Sequence, residues 1–264
     1  MKIHCIIQAR ISSSRLPGKI MLSVCGKPLL LHLVERIKKS KEINKVIIAT
    51  SKKTEDNLIF DLCIKNKIDV YRGSSDNLLS RYFQCAKKFR TDIIVRITSD
   101  CPLMDVKLID KMIIKYLEKP VDYLSNIHPP TYPDGYDIEI FPFKILKKVK
   151  KYARKDYEKE HVTPYLWDNP KLFNLMNFSE FKNNRMYKKY RLTLDYKEDF
   201  YVISQIYNRL YPKKKYFSLS DVLNLIKKNN KILINKKLIK INWYRKVYKK
   251  LKTISKKNTN LNLN

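Results

Sequence analysis

The sequence predicts an α/β fold, a mostly parallel mixed sheet with helices on both faces. Three observations carry this. Short β-branched runs alternate with stretches of helical period across residues 1–117, joined by connections of a few residues. The strand-like runs are continuously apolar, so both of their faces are buried, as in parallel sheets. The 4 glycines among 264 residues, Gly18, Gly26, Gly73 and Gly135, all stand in predicted loops or turns, none interrupts a helix or strand pattern, and each is expected to mark backbone of positive φ or close approach of a ligand.

In chain order, residues 3–7 form the first buried strand. Residues 27–40 (KPLLLHLVERIKKS) set Leu30, Leu33, Val34 and Ile37 at helical spacing. Residues 45–50 (KVIIAT) are a second strand, and 54–66 a helix with Thr54 as its cap and Leu58, Ile59 and Leu62 on one face. A short strand over 69–71, a helix over 76–89, a central strand over 92–97 (DIIVRI) and a helix over 106–117 follow. After Pro120 the rhythm changes. Residues 121–125 and 136–141 read as strands parted by the turn-rich IHPPTYPDG, 143–153 and 156–167 as helices, 172–178 and 190–194 as strands, and 198–210 as a helix. Residues 1–211 thus form the main body, with an insert at about 120–190. Residues 212–264 form a basic, partly helical extension whose end, 258–264, is low in complexity and expected to fray.

Composition narrows the class. Hydrophobic residues are 44% of the chain, enough for a sizeable core, and no apolar run approaches the roughly 20 residues of a membrane span. The apolar part of the N-terminus is too short for a signal peptide. The five cysteines form no CxxC pair, and Cys5 and Cys63 sit in apolar runs as small core residues, so a reduced cytoplasm is expected. The net charge of +31 suggests polyanionic partners, although a bias to Lys, Asn, Ile and Tyr is also what A/T-rich codons encode. Residues 212–264 hold sixteen Lys/Arg and one acid, Asp221, a net of +15. A specific nucleic-acid binder is not expected, because the 18 tyrosines are dispersed and no RNP-like motif is present.

Ligands of open parallel sheets bind at the carboxyl ends of the strands. Polar clusters fall there at 8–19 (QARISSSRLPGK), at 72–76 (RGSSD), at 98–102 (TSDCP) and at Asp195. In the first, Arg10, Arg15 and Lys19 put three cations in one loop, with serines and Gly18 as donors. Such a loop is either a phosphate cradle or a solvated basic loop. It is neither GxxxxGK[ST] nor GxGxxG. Asp100 and Asp195 offer the one or two carboxylates that Mg²⁺ takes beside phosphate oxygens, provided their strands are neighbours. Otherwise each caps a turn or a helix.

With these residues the chain resembles the cytidylyltransferases, most of all the spore-coat-polysaccharide-biosynthesis F type, and more distantly CMP-Kdo synthetase and acylneuraminate cytidylyltransferase. The resemblance rests on QARISSSRLPGK with GKPLLLHLVERI, then RGSSDNLLSRYFQCA, VRITSDCPLMD, YPDGYDIEIF, EHVTPYLW and RLTLDYKEDF, in that order, across residues 2–210. It implies a Rossmann-like nucleotide-diphospho-sugar transferase fold and the Mg²⁺-dependent coupling of CTP to a sugar acid with release of pyrophosphate, for surface polysaccharide biosynthesis, often as a homodimer. By position, Ala9, Arg10, Ser14, Arg15 and Lys19 would hold the triphosphate. Gly73 and Asp76 would lie near base or ribose, with Ser99 and Asp100 also at the nucleotide. Arg10, Lys19 and Asp100 would be catalytic, and Asp100 and Asp195 the metal acids. Tyr132, Asp134, Glu139 and His161 would face the acceptor, with packing of a helix-start His161 on Trp167 as the alternative. Ser99 stands where such sequences often carry glycine, and Tyr196-Lys197 replaces the usual Thr-Pro.

Other readings remain at this level. A glycosyltransferase of related fold would use Asp-x-Asp after a central strand, where this chain has one acid. Residues 236–252 set Tyr244, Val247, Tyr248 and Leu251 on one helical face among lysines. That face suits either weak contact with an anionic membrane surface or docking on the chain's own body.

Overall fold

Residues 1–180, 186–241 and 260–263 are described by a computed structural model. In chain order the elements are β1 (Ile3–Gln8), β2 (Ser23–Val24), β3 (Lys27–Pro28), α1 (Leu29–Ile37), β4 (Lys45–Ser51), α2 (Asn57–Lys65), β5 (Asp69–Gly73), α3 (Leu78–Lys88), β6 (Ile93–Thr98) and α4 (Val106–Glu118). There follow β7 (Tyr123–Ser125), β8 (Glu139–Pro142), α5 (Phe143–Tyr152), α6 (Asp156–His161), α7 (Pro164–Asp168), β9 (Leu175–Ser179), α8 (Met186–Lys189), α9 (Lys197–Leu210), α10 (Leu219–Lys228) and β10 (Asn260–Leu263).

The main sheet runs β10-β9-β7-β8-β6-β1-β4-β5. Every neighbouring pair is parallel except those of β8, which runs antiparallel to both β6 and β7. Alternation along the strands sorts the core into two layers. Ile3, Cys5 and Ile7 of β1 pack with α1, α2, α4, α9 and α10, while Ile6 packs on the other face with α3, α5 and α7. The expected mostly parallel sheet with helices on both faces is therefore present. Chain order reverses between β1 and β6: β4 and β5 lie on one side of β1, β6 on the other. The crevice at their carboxyl ends is the topological switch point of the sheet.

Several element boundaries differ from expectation for identifiable reasons. Residues 190–194 are not a strand. They cross the loops at the carboxyl end of the sheet, joined by a single bridge between Asp134 and Arg191, with Leu192 N donating to Asp134 O at 2.7 Å and Leu194 N to Asp100 O at 2.9 Å. The helix expected over 156–167 is two, α6 and α7, separated at Val162 (φ 72°), with Pro164 opening the second turn where it needs no amide donor. Thr54 does not cap a helix but starts a 3-10 turn, Thr54–Asp56. The true cap before α3 is Asn77, whose side chain accepts from Ser80 N at 2.8 Å. The end expected to fray supplies β10, paired in parallel with β9. All five cysteines are free, and Cys5 and Cys63 are buried.

The basic extension joins the body as far as residue 241. Phe217, Val222, Ile226 and Leu233 enter the same layer as α1 and α4. Arg36, buried in α1, donates to the carbonyls of Met104 and Phe217, and Asp105 accepts from Leu219 N at 2.8 Å. Residues 242–252, the greater part of the expected amphipathic helix, lie outside the described residues. Among the described residues no helix is long and apolar enough to cross a membrane.

Gly135 shows what the crossing segment demands. Its φ is 106°, and a Cβ there would collide with the Leu192–Thr193 peptide. Gly135→Ala is expected to destabilise the fold by about 2–4 kcal/mol, combining left-handed strain with the clash, read as a lower urea midpoint at unchanged m-value.

Candidate active site

The loop after β1 is built to deliver Lys19 to the switch point. Asp56, fully buried, accepts from Ile11 N at 2.7 Å and so pins the start of the loop. Ser13 Oγ accepts from Leu16 N at 3.3 Å, while Ser12 and Ser14 are exposed. The three serines thus divide: one folds the loop and two face outward. Gly18, at φ 65°, turns the chain left-handed, and its amide closes on Ile11 O at 3.0 Å. The 3-10 turn Lys19–Met21 follows at once.

Lys19 Nζ then meets three oxygens: Asp195 Oδ1 at 2.8 Å, Asp100 Oδ2 at 3.2 Å and Leu194 O at 2.7 Å. The two acids, 95 residues apart in sequence, do meet, although only Asp100 follows a sheet strand. Burial opposes the Lys19 charge, but Asp100 and Asp195 outweigh it and hold its pKa above the usual lysine value. Asp195 is held below the usual carboxylate range: burial works against it, and Lys19 and Arg15 outweigh burial. Arg15 donates to Asp195 Oδ1 at 2.6 Å. Tyr196, in place of the usual Thr, lies near both Arg15 and Arg191, 5.7 Å from ring centroid to each guanidinium carbon.

Behind Asp195 stands a buried hub absent from the sequence-based expectations. Arg191, 1% exposed, donates to Asp199 (Nε to Oδ1 at 2.9 Å, Nη2 to Oδ2 at 3.0 Å), to Asp134 at 3.1 Å and to Asp195 at 3.4 Å. Asp199 also accepts from the backbone amides of Asp195 and Tyr196 at 3.0 Å each. The signal for Asp199 was its place in the first turn of α9, where a carboxylate is favoured. Nothing local singled out Arg191. Three carboxylates share its one guanidinium, and Asp134 is the one left short. Burial raises its pKa to about 7, and Asp100, Asp195 and Asp199 reinforce the shift against the opposing Arg191.

The other expected residues are distributed as follows. Ala9 is buried, its amide on Ala49 O at 3.2 Å, and Arg10 is exposed at the loop start. Ser99 is buried at the end of β6, its amide on Gln8 O at 3.3 Å. Gly73 has no positive φ. A Cβ there would press on Tyr71 and Arg81, so the demand is close packing of side chains. Asp76 is exposed and accepts from Ser75 Oγ at 2.8 Å. Asp134 joins the Asp100–Asp195 cluster through Arg191. Tyr132 and Glu139 do not. Tyr132 is buried with its hydroxyl on Glu180 at 2.9 Å. Glu139 is buried in an ion pair with Arg96 and accepts from Tyr123 Oη at 2.7 Å and Thr163 Oγ1 at 2.6 Å. Arg96 continues to Gln8 Oε1 at 2.9 Å, tying β8 to the root of the basic loop. His161 ends α6 rather than starting a helix, and His128 stacks on Trp167 with centroids 4.8 Å apart.

Among the described residues no group of three or more His, Cys, Asp or Glu is assembled to hold a metal. The donor set still fits a hard divalent cation that takes two carboxylates and completes its shell with phosphate oxygens and water: Asp100 and Asp195 already converge on one positive charge. The arrangement can bind an oligophosphate on Arg10, Arg15 and Lys19 with a divalent cation beside it.

Comparison with known proteins identifies the family. A family model described as cytidylyltransferase matches residues 4–242. An uncharacterized protein of Methanocaldococcus jannaschii is 39% identical over 222 residues, covering 84% of this chain and 87% of that protein. The spore coat polysaccharide biosynthesis protein SpsF of Bacillus subtilis is 32% identical over 229 residues, covering 85% and 93%. The solved structure of a cytidylyltransferase from Leptospira borgpetersenii superposes with a TM-score of 0.83 at 37% identity, covering 89% of this chain and 98% of that one.

The state of Asp134 has a consequence in solution. An acid whose folded pKa lies above its unfolded value binds its proton more tightly when folded. The contribution of Asp134 to stability therefore falls as pH rises from the unfolded value near 4 to about 7, and levels off above it. Asp134→Asn is expected to remove about 1–2 kcal/mol of the loss between pH 5 and pH 8, measured by urea denaturation at both values.

Proposed function

Because the chain belongs to the cytidylyltransferase family, we propose that it couples CTP to the hydroxyl group of a sugar acid, forming a CMP-sugar and releasing pyrophosphate, in the biosynthesis of a surface polysaccharide. The single observation that carries the reading is the convergence of Lys19 on Asp100 and Asp195 at the switch point, beside a loop that also bears Arg10 and Arg15. The sugar-acid class rests on the resemblance of the motifs to CMP-Kdo and acylneuraminate enzymes, and the polysaccharide role on the name of the Bacillus relative.

In this mechanism the acceptor hydroxyl gives up its proton to solvent as its oxygen forms a bond to the α-phosphorus, in line with the bond that breaks to pyrophosphate. Such transfer depends on positioning and on neutralising phosphate charge. Arg10 and Arg15, on the outer part of the loop, bind the β- and γ-phosphates. Lys19 has little freedom in its three-oxygen cage, so it approaches from the sheet side, and a bound triphosphate competes with the two aspartates for its ammonium. Asp100 and Asp195 would then be free to hold Mg²⁺, which would supply charge neutralisation at the phosphates and acidify the attacking hydroxyl. Leu194 O holds Lys19, Thr98 Oγ1 donates to Asp100, and the buried Arg191–Asp199 pair positions Asp195.

The test is pyrophosphate release by the purified protein with each NTP, Mg²⁺ and a panel of sugar acids. CTP is expected to be the active nucleotide, and activity to vanish with EDTA and return with Mg²⁺. Asp100→Asn is expected to abolish turnover with the fold intact, and Lys19→Met to lower kcat/KM by about 10²–10³-fold. Turnover unchanged by Asp100→Asn, or no release with any acceptor and CTP, sinks the reading.

A further inference from the structure

The hub behind Asp195 contains a residue from far down the chain. Asn235 lies in the basic extension between the 3-10 turns Asn230–Ile232 and Lys236–Lys240, and is 1% exposed. Its amide group donates to Arg191 O at 3.0 Å and to Asp199 Oδ1 at 2.8 Å. A side-chain amide is the smallest neutral group with two such donors, and both acceptors are buried. The extension reaches the hub a second time through Ile241 O, which accepts from Arg191 Nη1 at 3.4 Å.

The placement matters because Arg191 is contested. Asp134, Asp195 and Asp199 all draw on its guanidinium. Asp199 in turn grips the backbone amides of Asp195 and Tyr196. Asn235 fixes the carbonyl of Arg191 on one side and the carboxylate of Asp199 on the other. Without it, Arg191 O is left unpaired in the interior, and Asp199 loses one of the bonds that set its plane. Either loss lets the guanidinium swing among its three acids and moves the Asp195 carboxylate relative to Asp100. Anchoring of the extension as such needs no amide, since Ile232, Leu233 and Leu238 already bury it.

We propose that Asn235 is a positioning residue of the catalytic centre: it locks the Arg191–Asp199 pair that aims Asp195 at Lys19 and Asp100, so the extension is a working part of the active site. The proposal rests on the cytidylyltransferase reading above. Outer partners of metal-ligating carboxylates commonly change metal affinity or activity by about 10–100-fold when removed.

The experiment compares full-length wild type, Asn235→Leu and Leu238→Ala. Asn235→Leu keeps the approximate size and removes both donors; Leu238→Ala loosens the same segment while removing none of the side-chain hydrogen bonds of the hub. Mn²⁺ binding in the presence of CTP is read by electron paramagnetic resonance, beside kcat, KM for CTP and the thermal midpoint. Asn235→Leu is expected to weaken Mn²⁺ binding and lower kcat by about tenfold or more, with KM for CTP within about twofold. Leu238→Ala is expected to lower the midpoint and leave Mn²⁺ affinity unchanged. A folded Asn235→Leu with wild-type Mn²⁺ affinity and kcat overturns the proposal, as does an equal shift in Leu238→Ala. Should Asn235→Leu not fold, Asn235→Ser, which retains one donor, decides in the same assay: a partial loss supports the role and wild-type values refute it. A wild-type protein that neither binds Mn²⁺ with CTP nor releases pyrophosphate removes the underlying reading instead.

Discussion

One ammonium group between two carboxylates holds the candidate site together. Lys19 comes from the loop after β1, Asp100 from the loop after β6, and Asp195 from the end of the crossing segment. Three parts of the chain with no covalent reason to meet are joined at one charge. Taking carboxylates out of water is costly unless each finds a partner, and here Lys19 partners both while its own side chain is 11% exposed. The rest follows from that demand. Gly18 turns left-handed to set Lys19 on the sheet side, Asp56 pins the loop start, and Leu194 turns its carbonyl inward.

The local charge balance runs opposite to the global one. The chain carries +31, yet around Asp195 the cations Arg15, Lys19 and Arg191 face the acids Asp100, Asp134, Asp195 and Asp199. Burial is the main reason that Asp134 holds its proton above the ordinary carboxylate range, and the neighbouring acids add to it against Arg191.

The parallel half of the sheet was legible because β1, β4 and β6 are buried on both faces, and their apolar runs are local facts. The basic loop and Asp100 were legible for the same reason, since each follows such a run directly. Asp195 was found by its acid at the end of an apolar segment, although that segment proved to be a crossing connection. Arg191, Asp199 and Asn235 were not legible as a group. Asn235 and Arg191 are 44 positions apart, and neither stretch has a periodicity that names its partner. Glu139 and Tyr132 fell within recognisable motifs, but motif position does not reveal that Arg96 and Glu180 engage them. The break of 156–167 at Val162 was hidden because Pro164 is as acceptable at a helix start as it is disruptive inside one.

The reversal of β8 has a consequence of its own. A strand that runs against its neighbours presents its beginning where they present their ends, so the turn holding Asp134 and Gly135 reaches the same rim as the loops after β1 and β6. The rim therefore has two suppliers. Loops leaving β1 and β6 bring the basic residues and Asp100, and the connection entering β8 brings the opposite wall. A substitution between β7 and β8 therefore acts on the same rim, and through the contacts of Asp134 and Asp195 with Arg191 it reaches a residue 61 positions further along the chain.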